Sequence, residues 1–313
     1  YKALGGQGSA IYRKVANPGI GSPGLKAFVS ADGLRWRKLR EEPVIPGEWG
    51  VYDSQNVAFW SESEQTFVCY FRTFVNGLRS ISRTTSNDFV EWSDPMAMNA
   101  NEPDEHLYTN GTPPYFRAPQ IYVALPTRFH AKRGSTTDIM LMTTRGGSTY
   151  DRTFKEAFIR PGVGEAFWGN RSNYAVTGIH PTSTDEMSIY VHPNRRYVLR
   201  TDGFSSVNSP YVGGELMTKP LMFEGNRLEL NYSTSAGGQV RVEILDADSQ
   251  PLPGYGLDQC KPLIGDRIAE AVQWAGQTAS LDQLAGKPIR LRFVMEDADL
   301  YSLRFHSSGE GVE

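Results

Sequence analysis

The feature of this 313-residue sequence that most limits its fold is a short motif recurring at a nearly constant interval. Ser30–Trp36 (SADGLRW) is repeated as Ser86–Trp92 (SNDFVEW). Weaker copies begin at Thr144 and Arg200, so the steps between the four copies are 56, 58 and 56 residues. In the two clear copies, the Asp can accept hydrogen bonds from turn N–H groups and the Trp can pack back onto the sheet. A repeat of this period indicates an array of similar structural units.

An extended, apolar-rich segment precedes each copy, and none of these segments has helical periodicity. They are Leu25–Val29, Leu78–Arg83, Asp138–Thr143 and Arg196–Leu199. The 31 glycines, 19 prolines and 12 % aromatic residues also favour many short strands joined by tight turns. We therefore predict an all-β fold in which residues 1–205 form a β-propeller with about 57 residues in each blade.

Only about three and a half such units fit before residue 205, whereas closed propellers need at least about four blades. We expect the first blade to be incomplete, and either a segment upstream of Tyr1 or a protein partner would complete the propeller. Residues 206–313 show a different pattern, in which apolar and polar residues alternate strictly. This alternation predicts an antiparallel β-sandwich with strands at Leu228–Tyr232, Val240–Ile244, Ile289–Phe293 and Tyr301–Phe305.

The composition argues against nucleic acid and membranes as partners. The formal net charge is −3, so no basic field is present to attract a nucleic acid. The longest apolar runs, such as Ile121–Leu125, are far shorter than a membrane span. Cys69 is expected to be a buried structural thiol that is not bonded to Cys260, and neither belongs to a metal-binding motif. No export signal is visible after Tyr1.

With these features the chain resembles the five-bladed β-propeller glycoside hydrolases with a C-terminal β-sandwich, in families 32 and 43, and the sialidase-like proteins. The repeated turns resemble the Asp-boxes of sialidase-like propellers, shortened by one residue. Tyr115–Tyr122 (YFRAPQIY) resembles the Phe-Arg-Asp-Pro segment of fructan-cleaving enzymes, but Ala118 stands in place of the Asp. This difference argues against fructosidase chemistry at that position.

The resemblance implies a hydrolase that cleaves glycosidic bonds of an oligo- or polysaccharide in the propeller funnel. It also implies a periplasmic or secreted protein with no required cofactor, although some arabinan-cleaving relatives hold a calcium ion in the funnel. No spacing of His, Asp and Glu in this sequence demands a metal. The alternatives are a non-catalytic glycan-binding or scaffold protein and a protein-interaction propeller, because fold does not determine activity.

Glycoside hydrolysis uses two carboxyl groups, of which one is protonated and the other ionised. Asp53 is the predicted ionised partner, because it opens a predicted inner strand beside Asn56. Glu105, next to His106, and Glu186, at the start of another strand, are the candidates for the second carboxyl group. Each of these residues could instead close a turn or lie in solvent.

Arginines are frequent in the same segments, and a guanidinium group binds a carboxylate or sulfate through two hydrogen bonds. If several of them surround the funnel, the substrate would be an acidic sugar. Ordinary ion pairing between strands is the alternative explanation, and Trp168 could stack on a sugar ring or pack in the core. The predicted substrate-binding residues are Asn56, Arg72, His106, Arg117, Arg128, Trp168 and Arg171.

Overall fold

The protein is described by a computed structural model that covers residues 1–7, 23–164, 167–168, 172–275 and 280–307. The regular elements in these residues are β-strands, so the predicted all-β fold class is confirmed. None of these residues lies in a helix with the length and hydropathy to span a membrane. Two compact units are present, one comprising Tyr1–His180 and Ser188–Val198, the other Pro181–Met187 and Leu199–Glu313. The predicted boundary near residue 205 stays a prediction.

The first unit contains separate antiparallel sheets of three or four strands, as expected of a propeller. One sheet contains β1 (Lys2–Gln7), β2 (Gly24–Val29), β3 (Arg37–Lys38) and β4 (Ile45–Pro46). Another contains β5 (Val57–Ser61), β6 (Thr66–Val75), β7 (Leu78–Ser86) and β8 (Met96–Ala97). The number of blades stays a prediction.

Two three-stranded sheets and a further four-stranded sheet follow along the chain. The first of these contains β9 (His106–Leu107), β12 (Thr127–His130) and β13 (Thr136–Ile139). The second contains β10 (Pro114–Tyr115), β11 (Ala118–Ala124) and β14 (Met142–Thr144). The third contains β15 (Tyr174–Ala175), β16 (His180–Pro181), β17 (Glu186–His192) and β18 (Arg195–Arg200).

Strand β6 separates two hydrophobic cores of the first unit. Its side chains alternate between the two faces of the sheet, as the period of an extended strand requires. Val68 and Tyr70 belong to one core, and Cys69 and Phe71 belong to the other. All four are fully buried. Cys69 is a free thiol, as predicted, and burial raises its pKa.

The two clear copies of the repeated motif fold into the same turn. The Ser30 hydroxyl accepts the N–H of Gly33 at 2.9 Å, and the Ser86 hydroxyl accepts the N–H of Phe89 at 2.8 Å. Gly33 and Phe89 both have φ of 75°, although only glycine adopts this conformation without steric cost. In each copy, one carboxylate oxygen of the Asp accepts two further backbone N–H groups at 2.8 to 2.9 Å.

The two weaker copies do not form this turn. The Thr144 hydroxyl donates to the carbonyl of Gly146, and the turn after Arg200 is closed by the N–H of Gly203. Neither segment combines a Ser hydroxyl with an Asp two residues later, which is the pair that holds the clear copies. The even spacing of the four segments therefore does not reflect one shared hydrogen-bond pattern.

The second unit contains one five-stranded antiparallel sheet, with β21 and β23 as its long central strands. The predicted segments at 228–232 and 240–244 belong to a single strand, and so do those at 289–293 and 301–305. The register of β21 against β23 shifts between Thr234 and Gln239. Within this shift, a Cβ on Gly238 would lie 2.5 Å from two carbonyl oxygens of β23, so only glycine fits there. The five strands are β19 (Val207–Ser209), β20 (Gly214–Met217), β21 (Arg227–Asp246), β22 (Asp266–Ala271) and β23 (Ile289–His306).

Alternate residues of β21 form the core of this second unit, as the sequence pattern predicted. Six of them are at most 1 % exposed, namely Leu228, Leu230, Tyr232, Val240, Val242 and Ile244. Cys260 is also buried in this core as a free thiol. The sandwich arrangement stays a prediction.

The turn geometry predicts that Ser86→Ala destabilises the first unit by about 1 to 3 kcal/mol, because the buried N–H of Phe89 and the partly buried N–H of Asp88 lose their acceptor. The free energy of unfolding in urea measures this loss. Asn87→Ala changes an exposed residue of the same turn and should alter stability by less than about 0.5 kcal/mol. Equal effects of the two substitutions would contradict the proposed role of the Ser hydroxyl.

Candidate functional site

A cavity of about 370 Å³ lies beside strands β9 and β12 of the first unit. The two strands pair antiparallel, with His106 opposite Phe129, and both of these residues line the cavity. The cavity is lined by Glu102–His106, Arg128–Arg133, Arg152 and Lys155. It brings together three of the predicted site residues, Glu105, His106 and Arg128.

A network of buried ion pairs forms one wall of this cavity. Both carboxylate oxygens of Glu105 accept hydrogen bonds from the Arg152 guanidinium group, at 2.6 and 3.1 Å. The Glu105 and Arg152 side chains are only 7 % and 8 % exposed. Arg128 lies 3.7 Å from Glu105 and binds both oxygens of Asp138 at 2.9 Å. Each guanidinium group therefore already has a carboxylate partner within the protein.

Desolvation and ion pairing oppose each other at Arg128. Burial alone would lower the pKa of its guanidinium group, because the charged form loses hydration. The hydrogen bonds and charge of Asp138, together with Glu105, outweigh burial and raise the pKa. Arg128 therefore stays charged at every physiological pH and acts as a fixed part of the wall.

His106 is held in one tautomer. Its Nδ1 accepts the backbone N–H of Arg79 at 3.1 Å, so Nδ1 carries no proton and the neutral ring carries its proton on Nε2. The ring packs edge-to-face on Phe129, with 6.2 Å between the ring centroids. Burial and then the charge of Arg79 lower the pKa of His106 below 6.5. At neutral pH the cavity therefore contains an uncharged imidazole ring.

Lys132 and Arg133 provide positive charge at the edge of the cavity. Both are exposed and lie in the turn between β12 and β13, next to Gly134 and Ser135, which have φ of 67° and 58°. Neither side chain has a hydrogen bond or an ion pair with another residue in the described part of the chain. We call Lys132 and Arg133 the rim. Unlike the arginines of the wall, the rim cations are available to a ligand.

Asp53 lies outside the residues that line this cavity. Its side chain is 55 % exposed, and one carboxylate oxygen pairs with the buried guanidinium group of Arg72. Arg72 also lies 4.7 Å from the Tyr108 ring centroid and donates to the Tyr108 carbonyl at 3.3 Å. Arg79 lies 5.1 Å from the same ring, so continuous contacts run from Asp53 to His106.

The other predicted site residues are dispersed. The Asn56 amide donates to the carbonyls of Tyr52 and Ser54, which makes it part of a local turn. Glu186 is exposed at the start of β17 and is grouped with the second unit. Trp168 is 54 % exposed, and Arg171 lies outside the described residues.

Arg117 lies in a turn directly before β11. Tyr115 pairs with Ala118, so Phe116 and Arg117 form the two-residue turn of a hairpin between β10 and β11. The segment contains no Gly or Asn that would have marked this turn in advance. Arg117 is not among the residues that line the cavity.

Asp138, Lys132 and Arg133 were not among the site residues predicted from the sequence. The rim could have been found, because a basic pair directly before Gly134 and between two short strands indicates an exposed turn. Asp138 gave no such indication, because its partner Arg128 lies across a strand pair. Among the described residues, no group of three or more His, Cys, Asp or Glu side chains is placed to hold a metal ion.

Solved structures with a similar chain trace include several carbohydrate-active enzymes. An N-acetylgalactosamine deacetylase from F. plautii, in complex with blood group B trisaccharide, is 10 % identical, with a TM-score of 0.38 over 87 % of this chain and 65 % of that one. A family 43 arabinoxylan arabinofuranohydrolase from Bacillus subtilis, in complex with cellotetraose, is 8 % identical, with a TM-score of 0.31 over 98 % and 64 %. The Bombyx mori family 32 β-fructofuranosidase is 10 % identical, with a TM-score of 0.38 over 99 % and 77 %.

The chain spans less than two thirds of the first two enzymes. No protein-family model matches the sequence, and no curated protein is significantly similar to it. At these identities and TM-scores the similarity carries no conclusion about chemistry. The function of this chain therefore has to be inferred from its own residues.

The buried wall predicts that Glu105→Gln destabilises the first unit by about 3 to 5 kcal/mol, because two buried guanidinium groups lose a charged partner. The double variant Glu105→Gln/Arg152→Met removes the stranded charge of Arg152 as well and should recover at least half of this loss. Urea unfolding of Glu105→Gln, Arg152→Met and the double variant measures the coupling energy between the two side chains. Additive losses in the double variant would show that the pair contributes no coupling energy.

Proposed function

We propose that the protein binds an acidic saccharide in the cavity beside β9 and β12. The observation that carries this proposal is the unpartnered positive charge of Lys132 and Arg133 at the edge of the cavity. A volume of about 370 Å³ falls in the range of about 300 to 1,000 Å³ that is typical of small-molecule sites. It could accommodate part of an oligosaccharide.

The balance of charges supports an anionic ligand. Glu105 pairs with Arg152, Asp138 pairs with Arg128, and Lys155 lies 2.9 Å from Glu102. After these pairs are set aside, the charged lining residues are the two rim cations and one carboxylate, that of the exposed Asp104. A sugar that carries a carboxylate or sulfate group would complement this excess of positive charge.

A saccharide is favoured over other anions by the mixture of groups in the cavity and by the resemblance stated for the sequence. Phe129 and the rings of His106 and His130 line the cavity, although Phe129 is only 7 % exposed. His130 Nε2 lies 3.4 Å from Asp138, whereas His106 Nε2 has no partner among the described residues and could meet a hydroxyl group. Both oxygens of Glu105 accept hydrogen bonds from Arg152, so this carboxylate is already engaged within the wall. Recognition of the saccharide is therefore better supported at this cavity than its cleavage.

The double variant Lys132→Ala/Arg133→Ala tests the proposal by calorimetric titration with tetragalacturonate and with a chondroitin sulfate hexasaccharide. Loss of both cations should weaken binding of an acidic oligosaccharide by at least about tenfold at low salt and should reduce the dependence of Kd on salt concentration. Arg35→Ala/Arg37→Ala removes two exposed basic residues outside the cavity and is the matched control. If the wild type binds neither oligosaccharide, the proposed function is wrong.

A second candidate function, glycoside hydrolysis, is favoured by the environment of Asp53. An exposed carboxylate held by a buried guanidinium group is fixed in position while one of its oxygens stays available. Glycoside hydrolases use a carboxylate as nucleophile or base, and Asp53 would take that role. In this proposal Glu105 or Glu186 supplies the second carboxyl group, and Arg117, Trp168 and Arg171 contact the glycan. Such an enzyme would act in the periplasm or outside the cell.

A hydrolysis screen of the full chain against neutral and acidic polysaccharides tests this second candidate. If the chain is a hydrolase, Asp53→Asn should lower the cleavage rate by at least about a hundredfold, because an amide can serve neither as base nor as nucleophile. Asp94→Asn, at an exposed position, is the control and should leave the rate unchanged. Full activity of Asp53→Asn would remove Asp53 from the mechanism.

A further inference from the structure

We propose that His106 selects among saccharides at this cavity by donating its Nε2–H to an uncharged oxygen of the bound sugar. That oxygen would belong to a hydroxyl group, a ring ether or a glycosidic bond. The inference rests on the proposed function and adds to it a second element of recognition. In this arrangement the rim binds the acidic group of the saccharide, and the imidazole donates a hydrogen bond to a neutral oxygen beside it.

The proton of the neutral His106 ring can occupy only one of the two ring nitrogens. A backbone N–H is always a donor, so the bond from the Arg79 N–H to Nδ1 requires an unprotonated Nδ1. The proton of the neutral ring must then be on Nε2. His106 therefore offers the cavity a hydrogen-bond donor, whereas the other tautomer would offer an acceptor.

The Nε2–H donor of His106 is unpaired, and the ring that carries it is held in place. Among the described residues, His106 Nε2 has no hydrogen-bond partner. The atom is also not fully buried, so a ligand can reach it. Phe129 packs against the ring. The Asn101 amide donates to the carbonyls of Arg79 and Glu105, at 2.7 and 2.9 Å, and so ties together the two segments that hold the ring.

The environment of the His106 ring favours an uncharged acceptor. The guanidinium group of Arg79 disfavours a second positive charge on the ring, and burial acts in the same direction. A neutral donor pairs with a neutral oxygen at little cost in desolvation, while an anionic group gains more from the rim cations. A saccharide with no acceptor at this position would leave the Nε2–H unpaired, which is a strong basis for discrimination.

Two substitutions separate the two functions of the imidazole ring. His106→Asn places an oxygen near the position of Nδ1, so it can accept the Arg79 N–H, but it offers no donor at Nε2. His106→Gln places an amide nitrogen near the position of Nε2, so it can donate to the ligand, but it leaves the Arg79 N–H without its acceptor. A purely structural role would make His106→Gln the more damaging variant in both stability and binding.

The experiment measures Kd for tetragalacturonate and the chondroitin sulfate hexasaccharide, and the midpoint of thermal unfolding, in the full chain. We expect His106→Asn to weaken binding about fivefold with unchanged salt dependence and nearly unchanged stability. We expect His106→Gln to stay within about twofold of the wild-type Kd while it lowers the unfolding midpoint. If His106→Gln weakens binding as much as His106→Asn, the inference is wrong.

A spectroscopic measurement distinguishes failure of this inference from failure of the proposed function. Nitrogen-15 NMR of the histidines, assigned with His106→Asn, should show the Nε2–H tautomer for His106 at pH 7.5 without any ligand. The Nδ1–H tautomer or an imidazolium ion would overturn the inference even if acidic oligosaccharides bind. Wild-type protein that binds neither oligosaccharide would overturn the proposed function, and the inference with it, whichever tautomer is found.

Discussion

The buried negative charge of Glu105 is the constraint on which the candidate site depends. Removing an ionised carboxylate from water costs several kcal/mol unless a cation and hydrogen bonds replace the lost hydration. Arg152 provides both of these, although it is 47 residues away in the sequence. Glu105 in turn provides the carboxylate partner that the buried guanidinium group of Arg152 needs. Removal of either residue alone would leave the other as an uncompensated buried charge, so the pair holds this wall of the cavity together.

The same need to satisfy buried polar groups joins the sheets of the first unit. Buried or partly buried amide side chains donate to backbone carbonyls across the gaps between sheets. The Asn110 amide donates to the Gln55 carbonyl at 2.8 Å, the Gln55 amide to the Ala175 carbonyl at 2.6 Å, and the Asn173 amide to the Thr137 carbonyl at 2.7 Å. Hydrophobic packing alone would allow neighbouring sheets to slide, whereas these bonds fix their positions against each other.

Local sequence patterns predicted what depends on neighbouring residues. The alternation in β21 placed Leu228, Leu230 and Val242 in a core, and the two Ser-x-Asp motifs formed the expected turn. That the two predicted strands form the single strand β21 through Gly238 was not predictable, because a glycine within a strand pattern usually indicates an interruption. The close contact of Gly238 with β23, which requires glycine there, is not visible in the sequence. The partners of Arg128 and Glu105 were also not predicted, because Asp138 lies on the neighbouring strand and Arg152 is 47 residues from Glu105, so no local pattern marks either pair.

The contrast between the rim and the wall has a consequence for how the ligand preference can change. Lys132 and Arg133 occupy a turn whose side chains support no other part of the described structure, while every charged group of the wall is tied to another. Substitutions at the turn therefore carry little cost in folding. A lineage of such proteins, or a protein engineer, could alter the charge that the cavity accepts by exchanging this hairpin tip alone.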